Sequence, residues 1–177
     1  LVMSGRSDKA EEMLMALSTF FRTSLSIDPS ADVSLAEEIA LQRLYLDIEK
    51  VRFPDRLEVD IDVPEDLEQA RIPALLLQPL IENAIKYGVS QTTSRVKLSI
   101  RARHLDGGRM QLDVINRTVG APGKKMKAVP AHTGTGLGLS NVCQRLEAHF
   151  GNRADCRFGP IEGGYEVSLA MPLDEDD

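Results

Sequence analysis

The chain has 177 residues, enough for one α/β domain with an extra helix or two and thin for two full domains. Lys and Arg number 21 against 27 Asp and Glu, a formal charge of -6 that argues against a broadly basic nucleic-acid-binding surface. Hydrophobic residues make up 42% and charged residues 27%, a globular mixture; the longest apolar stretch, Ile72 to Ile81, is broken by Pro73, Gln78 and Pro79 and is too short to span a bilayer.

Leu1 opens almost directly into helical pattern without an initiator methionine, so the chain is expected to be a piece of a longer protein. Asp8 to Leu25 reads as helix, with Leu14, Leu17, Phe21 and Leu25 at three- and four-residue spacing and Met13 and Phe20 widening the stripe. Ile27-Asp28-Pro29-Ser30 ends it. A second helix starts after Ser34, an N-cap with Glu37 completing a capping box, and runs through Leu41, Leu44, Ile48 and Val51. Two such helices in tandem suit an antiparallel hairpin, a dimerising stalk or a two-helix extension of the core.

Leu57, Val59, Ile61 and Val63 alternate with acidic residues, the period of a half-exposed strand. A helix is expected from about Pro73, as its first residue, to Tyr87, with Gly88 ending it. Val96 to Ala102 and Met110 to Ile115 read as strands joined through a turn at Leu105-Asp106-Gly107-Gly108. Arg117 to Gly136 reads as a long mobile loop, Leu137 to Phe150 as a helix, and Cys156 to Phe158 and Tyr165 to Met171 as strands around Gly163-Gly164. Asp174 to Asp177 is an acidic tail. Strands joined by short turns must be antiparallel, which excludes a doubly wound sheet. The fold class expected is α+β: a two-layer α/β sandwich with a mixed sheet, helices on one face, and a helical segment in front.

Cys143 and Cys156 stand thirteen apart without a CxxC pair or a nearby histidine pair. Neither a zinc site nor a disulfide scaffold is indicated, and a reduced cytoplasmic setting is expected. Cys143 itself reads as a small buried hydrophobe.

Two segments carry chemistry. Gly134-Thr135-Gly136-Leu137-Gly138-Leu139 places three glycines at alternate positions before a helix, where exposed amides and the helix dipole can receive phosphate oxygens. A flexible turn before a helix would read the same way. Gly120 to Lys125 lacks the spacing and the Ser or Thr of a Walker loop. In Glu82-Asn83-Ala84-Ile85-Lys86-Tyr87-Gly88, Asn83 can offer an oxygen to magnesium beside phosphates, and Glu82 can polarise a water or an attacking imidazole. Lys86 could reach phosphate or pair with Glu82.

Together these segments resemble a known family. Leu77-Gln-Pro-Leu-Ile-Glu-Asn-Ala-Ile-Lys-Tyr-Gly88 resembles the N box of the GHKL ATPase superfamily, in the form found in LytS/YehU-type sensor histidine kinases. Gly134 to Leu146 resembles their G2 box, and Val167 to Pro172 their closing strand. The resemblance implies a Bergerat-type ATP-binding domain over residues 31–173, with residues 1–30 the later part of the dimerisation and phosphoacceptor region. It implies ATP and Mg²⁺, the metal held by Asn83, phosphoryl transfer assisted by Glu82, and phosphates cradled by Gly134, Gly136 and Gly138 in the lid loop. Lys86, Tyr87, Thr135, Leu137 and Leu139 fall in the two boxes and are assigned to the nucleotide site with them. The family's adenine-binding aspartate falls at Asn116, Thr118 replaces the first glycine of that box, and Gly120 matches the second. A carboxamide oxygen still accepts a hydrogen bond, without charge assistance. Asp113 is a poorer substitute, three residues away on the same strand.

His104, His132 and His149 lack the context of a phosphoacceptor, so the accepting histidine is expected upstream of Leu1. Arg145 could reach phosphate or serve a core-edge salt bridge. The resemblance implies a parent that dimerises through its N-terminal helices and passes phosphate to a response-regulator receiver domain. It implies neither nucleic acid nor membrane contact by this segment, and leaves membrane attachment of the parent open. A nucleotide-blind interaction module of the same fold and a GHKL serine/threonine kinase are the alternatives.

Overall fold

The computed structural model describes residues 7–120 and 136–173, with side chains from 10 to 120 and from 138 to 173. Helix α1 (Ser7–Ser26) is followed by β1 (Asp32–Ser34), α2 (Leu35–Arg52), β2 (Leu57–Asp62) and β3 (Arg71–Pro73). Then come α3 (Gln78–Asn83), continued as a π-helical segment (Ala84–Val89), β4 (Val96–Leu105) and β5 (Arg109–Thr118). Helix α4 (Gly136–Phe150), β6 (Asp155–Ile161) and β7 (Gly164–Pro172) complete the chain.

Five strands form one sheet in the order β2-β4-β5-β7-β6; β2 runs parallel to β4 and every other pair is antiparallel. The mixed sheet and α+β class agree with the sequence reading. Alternation sends Leu98, Ile100, Leu112, Val114, Val167 and Leu169 into the core with Leu80, Ile81, Leu139, Val142 and Leu146 from the helices. The opposite face is polar, where Lys97 meets Glu58 and Asp60, and Arg101 meets Asp60. Such exposed pairs contribute little stability and serve to keep that face in water.

The capping box at Ser34 forms as expected: the Ser34 hydroxyl accepts from the Glu37 N–H, and the Glu37 carboxylate accepts from the Ser34 N–H. The next orphan donors of α2, on Leu35 and Ala36, reach the carbonyls of Ala70 and Glu68. Helix α2 is apolar on two sides. Leu41 and Ile48 pack against Phe20 of α1, while Leu35, Ile39 and Leu46 enter the main core. Only half of the α1 stripe is used: Leu14, Phe21 and Leu25 remain exposed.

Three expectations are corrected. Pro73 does not open a helix; it ends β3, which pairs with β1 as a separate two-stranded edge, a place where a residue without an N–H is tolerated. The helix begins at Gln78, and Pro79 takes the early position instead. Nor does Gly88 end that helix, which widens into π geometry and runs to Val89. Finally, Cys143 and Cys156 form a disulfide, with Cα atoms 5.4 Å apart, and Cys143 is half-buried. Helix α4 lies along β6, so a thirteen-residue separation in sequence becomes direct contact across two elements.

Candidate functional site

The apolar run from Leu76 to Ile85 drives α3 into the core, which leaves Glu82 exposed and Asn83 half-buried on its remaining side. Gln78 Nε2 donates to Glu82 Oε1 at 2.9 Å, one helical turn away, and fixes the direction of that carboxylate. Asn83 Nδ2 is buried and has no hydrogen-bond partner among the described residues. A Cβ added to Gly138 would stand 3.4 Å from this atom, so the start of α4 and the middle of the Glu82-Asn83 segment meet face to face. Asn83 and Gly138, 55 positions apart in the sequence (83 to 138), thus share one site.

Helix α4 begins at Gly136, inside the glycine motif, and aims its N-terminal dipole at this place. Leu139 is 5% exposed, so its side chain belongs to the core and only its backbone is left for a ligand. Gly134 and Thr135 lie outside the described residues, as do His132 and most of the expected lid loop. The side chain of Leu137 is likewise outside them.

Asn116 is 5% exposed and lies on the helix-facing side of β5. Gly88 passes directly over it: a Cβ at Gly88 would stand 2.3 Å from Asn116 Nδ2. Gly88 therefore matters for close approach, a role its reading as a helix terminator missed. Asp113 is buried on the opposite face of the sheet, where its Oδ1 accepts from Gln111 Nε2 at 2.7 Å. The odd offset between Asp113 and Asn116 removes Asp113 from this site. Gly120 is exposed with φ of 79°. Lys86 Nζ lies 5.0 Å from the Tyr87 ring centroid, a cation–π contact, and makes no ion pair with Glu82 among the described residues.

Arg145, expected at phosphate or in a salt bridge, donates instead to the carbonyl of Pro29 in the α1–β1 connection. His149 lies 3.3 Å from Asp32, and His104 2.7 Å from Asp66. Both histidines are thereby occupied away from the Asn83–Gly138 pair.

The sequence did not single out Glu38. It is 0% exposed, and its two carboxylate oxygens accept from Leu75 N–H and Leu77 N–H, each at 2.9 Å. Desolvation raises its pKa, against the lowering effect of these bonds, of the Gln78 N–H and of the Arg145 charge. A Glu in the first turn of a helix ordinarily reads as a solvated charge favouring the dipole, which hid this one. Tyr45, nearby on α2, has its hydroxyl pKa raised by burial, with the Glu49 and Glu82 charges adding to the effect.

Among the described residues no group of three or more His, Cys, Asp and Glu could hold a metal ion. Magnesium bound beside phosphates keeps waters and takes one or two protein oxygens; the Asn83 carboxamide carries one such oxygen, Oδ1, next to the Nδ2 that faces Gly138.

The family model for histidine kinase-, DNA gyrase B-, and HSP90-like ATPases matches residues 68–175. This chain belongs to that ATPase family. A histidine kinase model matches residues 1–57 of the same chain. The sensor histidine kinase BtsS of Escherichia coli is 40% identical over 151 residues, 85% of this chain and 25% of that protein. The sensor protein LytS of Staphylococcus saprophyticus is 31% identical over 171 residues, 94% of this chain and 29% of that protein. The ATPase-family chain thus spans under a third of the length of these relatives. The nucleotide-free catalytic domain of histidine kinase ThkA covers 81% of it at 22% identity and a TM-score of 0.54. The Acinetobacter baumannii histidine kinase AdeS covers 98% at 13% identity and a TM-score of 0.57. At these identities the structural likeness establishes the fold. No described helix of this family member is long and apolar enough to cross a membrane.

Proposed function

We propose that this chain is the ATP-binding catalytic part of a sensor histidine kinase, acting on a histidine that it does not itself contain. The observation that carries the reading is the meeting of the Asn83 carboxamide, through its Nδ2, with Gly138, which brings the group whose Oδ1 can take a phosphate-bound cation to a helix N-terminus. In the reaction a bond between the γ-phosphorus and its bridging oxygen breaks, a bond to an imidazole nitrogen forms, ADP leaves, and the nitrogen gives up its proton. Glu82, exposed and oriented by Gln78, is the group available to orient or deprotonate that imidazole. The amides of Gly136 and Gly138 meet phosphate charge, and Asn83 would hold Mg²⁺, whose charge offsets that of the phosphates. Asn116 accepts from the adenine amino group through its carboxamide oxygen, a neutral bond.

Residues 1–30 then belong to the dimerisation and phosphoacceptor region and residues 31–173 to the ATP-binding domain. The exposed Leu14, Phe21 and Leu25 support a homodimer through α1 in the parent. The phosphoryl group would move on to the receiver domain of a response regulator. A second reading, a regulatory module with little nucleotide binding, rests on the neutral Asn116 at the adenine position.

Calorimetric titration with ADP or a non-hydrolysable ATP analogue, with and without Mg²⁺, separates them. Magnesium-dependent binding to the wild type that Asn83→Ala abolishes supports the catalytic reading. Folded wild type that takes up no nucleotide at millimolar concentration overturns it in favour of the module.

A further inference from the structure

Leu75 has φ of 59°, the one described non-glycine residue in the left-handed region. A leucine there is strained, because its Cβ crowds the following carbonyl, and such a residue persists only where its surroundings hold it. It stands three residues before α3, at the point where the chain leaves β3 and turns toward the nucleotide site. The Leu75 N–H and the Leu77 N–H converge on opposite oxygens of one carboxylate, that of Glu38, delivered from α2.

We infer that Glu38 is a positioning residue for the nucleotide site: its buried carboxylate holds the left-handed turn at Leu75 and so sets the direction in which α3 carries Glu82 and Asn83 toward Gly138. Among the described residues the Ala31 carbonyl accepts from the Ala74 N–H just before the turn, but the N–H groups of Leu75 and Leu77 themselves are taken by Glu38. The Leu77 carbonyl is committed to the N–H groups of Leu80 and Ile81, and Leu77 has no side-chain cap of its own. A carboxylate suits the place because it is acceptor-only: its two oxygens take the Leu75 and Leu77 N–H groups, and the Gln78 N–H at the start of α3 adds to them. The positive charge of Arg145 on α4 adds a small favourable field at this carboxylate. Glu38 touches neither nucleotide nor the reacting atoms in this arrangement; it acts through Asn83 and Glu82.

The inference rests on the nucleotide-binding reading, and its test separates the two. Glu38→Gln leaves one acceptor oxygen and turns an NH₂ toward a backbone donor. The turn then relaxes toward negative φ, and Mg·ADP affinity is expected to fall about tenfold, the factor that corresponds to releasing left-handed strain of this kind. In the nucleotide-free protein the Asn83 side-chain amide and the Gly138 backbone amide should shift in ¹H–¹⁵N spectra. Adding Leu75→Gly makes the left-handed turn cost-free, so affinity and both resonances should return toward wild type, although the leucine side chain and its stability are lost. A purely structural role for Glu38 gives the opposite pattern, since the second substitution would weaken the protein and its binding further.

Should Glu38→Gln fail to fold, Glu38→Asp keeps the charge, withdraws the oxygens by one methylene, and is expected to move affinity and resonances in the same direction, with the same rescue. Unchanged affinity and resonances in a folded Glu38 variant overturn the inference, as does a loss that Leu75→Gly does not restore. If the wild type itself binds no Mg·ADP, the proposed function fails, and the resonances of the nucleotide-free variants still decide the positioning role.

Discussion

Gly88→Ala tests the packing that joins the two halves of the site. The added Cβ would lie 2.3 Å from Asn116 Nδ2, 3.1 Å from its Cγ and 3.4 Å from its Cβ. The first distance is far inside contact, and Asn116, at 5% exposure, has little room to withdraw. Overpacking of this kind costs about 1–3 kcal/mol. For a chain of this size each kcal/mol lowers the melting temperature by about 2–4 °C, so a midpoint cost of about 2 kcal/mol lowers it by about 4–8 °C. Truncating the neighbour isolates the cause. Asn116→Ala removes the two closest atoms and keeps only the Cβ at 3.4 Å, an ordinary contact. Denaturant unfolding of wild type, both single variants and the double variant closes the cycle. Gly88→Ala should be costly in the wild type and nearly neutral beside Asn116→Ala, a coupling well beyond the scatter of about 0.3–0.5 kcal/mol seen for independent sites. Additive costs would refute the claim that Gly88 is glycine for the sake of Asn116.

Gly164→Ala meets an obstacle of a different kind. Its Cβ would stand 1.9 Å from the Asn116 carbonyl oxygen and 2.9 Å from its carbonyl carbon, so the loss should exceed that of Gly88→Ala, and trimming the Asn116 side chain should not relieve it in the same unfolding assay. Reducing the Cys143–Cys156 disulfide, whose partners are separated by 13 positions, should cost about 3 kcal/mol of unfolding free energy. The Cys143→Ser variant should then show no dependence on reductant, and two free thiols in the unreduced native protein would contradict the bridge. Ser34→Ala should cost about 1 kcal/mol through loss of the α2 cap, measured by denaturant unfolding. For Glu37 the Ser34 backbone and side-chain bonds lower the pKa from its ordinary 4.5. A lowered folded-state value gives stability that is present above pH 4.5 and lost as pH falls through the folded value. The stability difference between wild type and Glu37→Gln should therefore close on acidification below that point; Glu38, whose pKa is shifted the other way, is present in both and cancels. A difference that persists unchanged into acid would show that the carboxylate is not what caps the helix.

Local order was legible because its causes are local. The Ser34–Glu37 box, the alternation of Leu57 to Ile61, the Gly107-Gly108 turn and the helix after Gly136 depend on residues a few positions apart, and each is present in the structure. The resemblance of the Glu82-Asn83 and Gly134 to Gly138 segments likewise resides in contiguous residues, and the fold and family follow from them. Tertiary structure decided what depends on residues far apart in the chain. Pro73 reads as a helix opener until β1 is available to pair with it. Cys143 and Cys156 read as separate thiols until α4 lies on β6. Gly88 reads as a terminator until Asn116 comes up beneath it, and Glu38 is not singled out by the sequence, because its role exists only where the strained turn at Leu75 presents N–H groups to it. Hydrophobic periodicity reports which face of an element is buried, whereas these contacts depend on what it is buried against, and that is settled only when the sheet and helices close on one another.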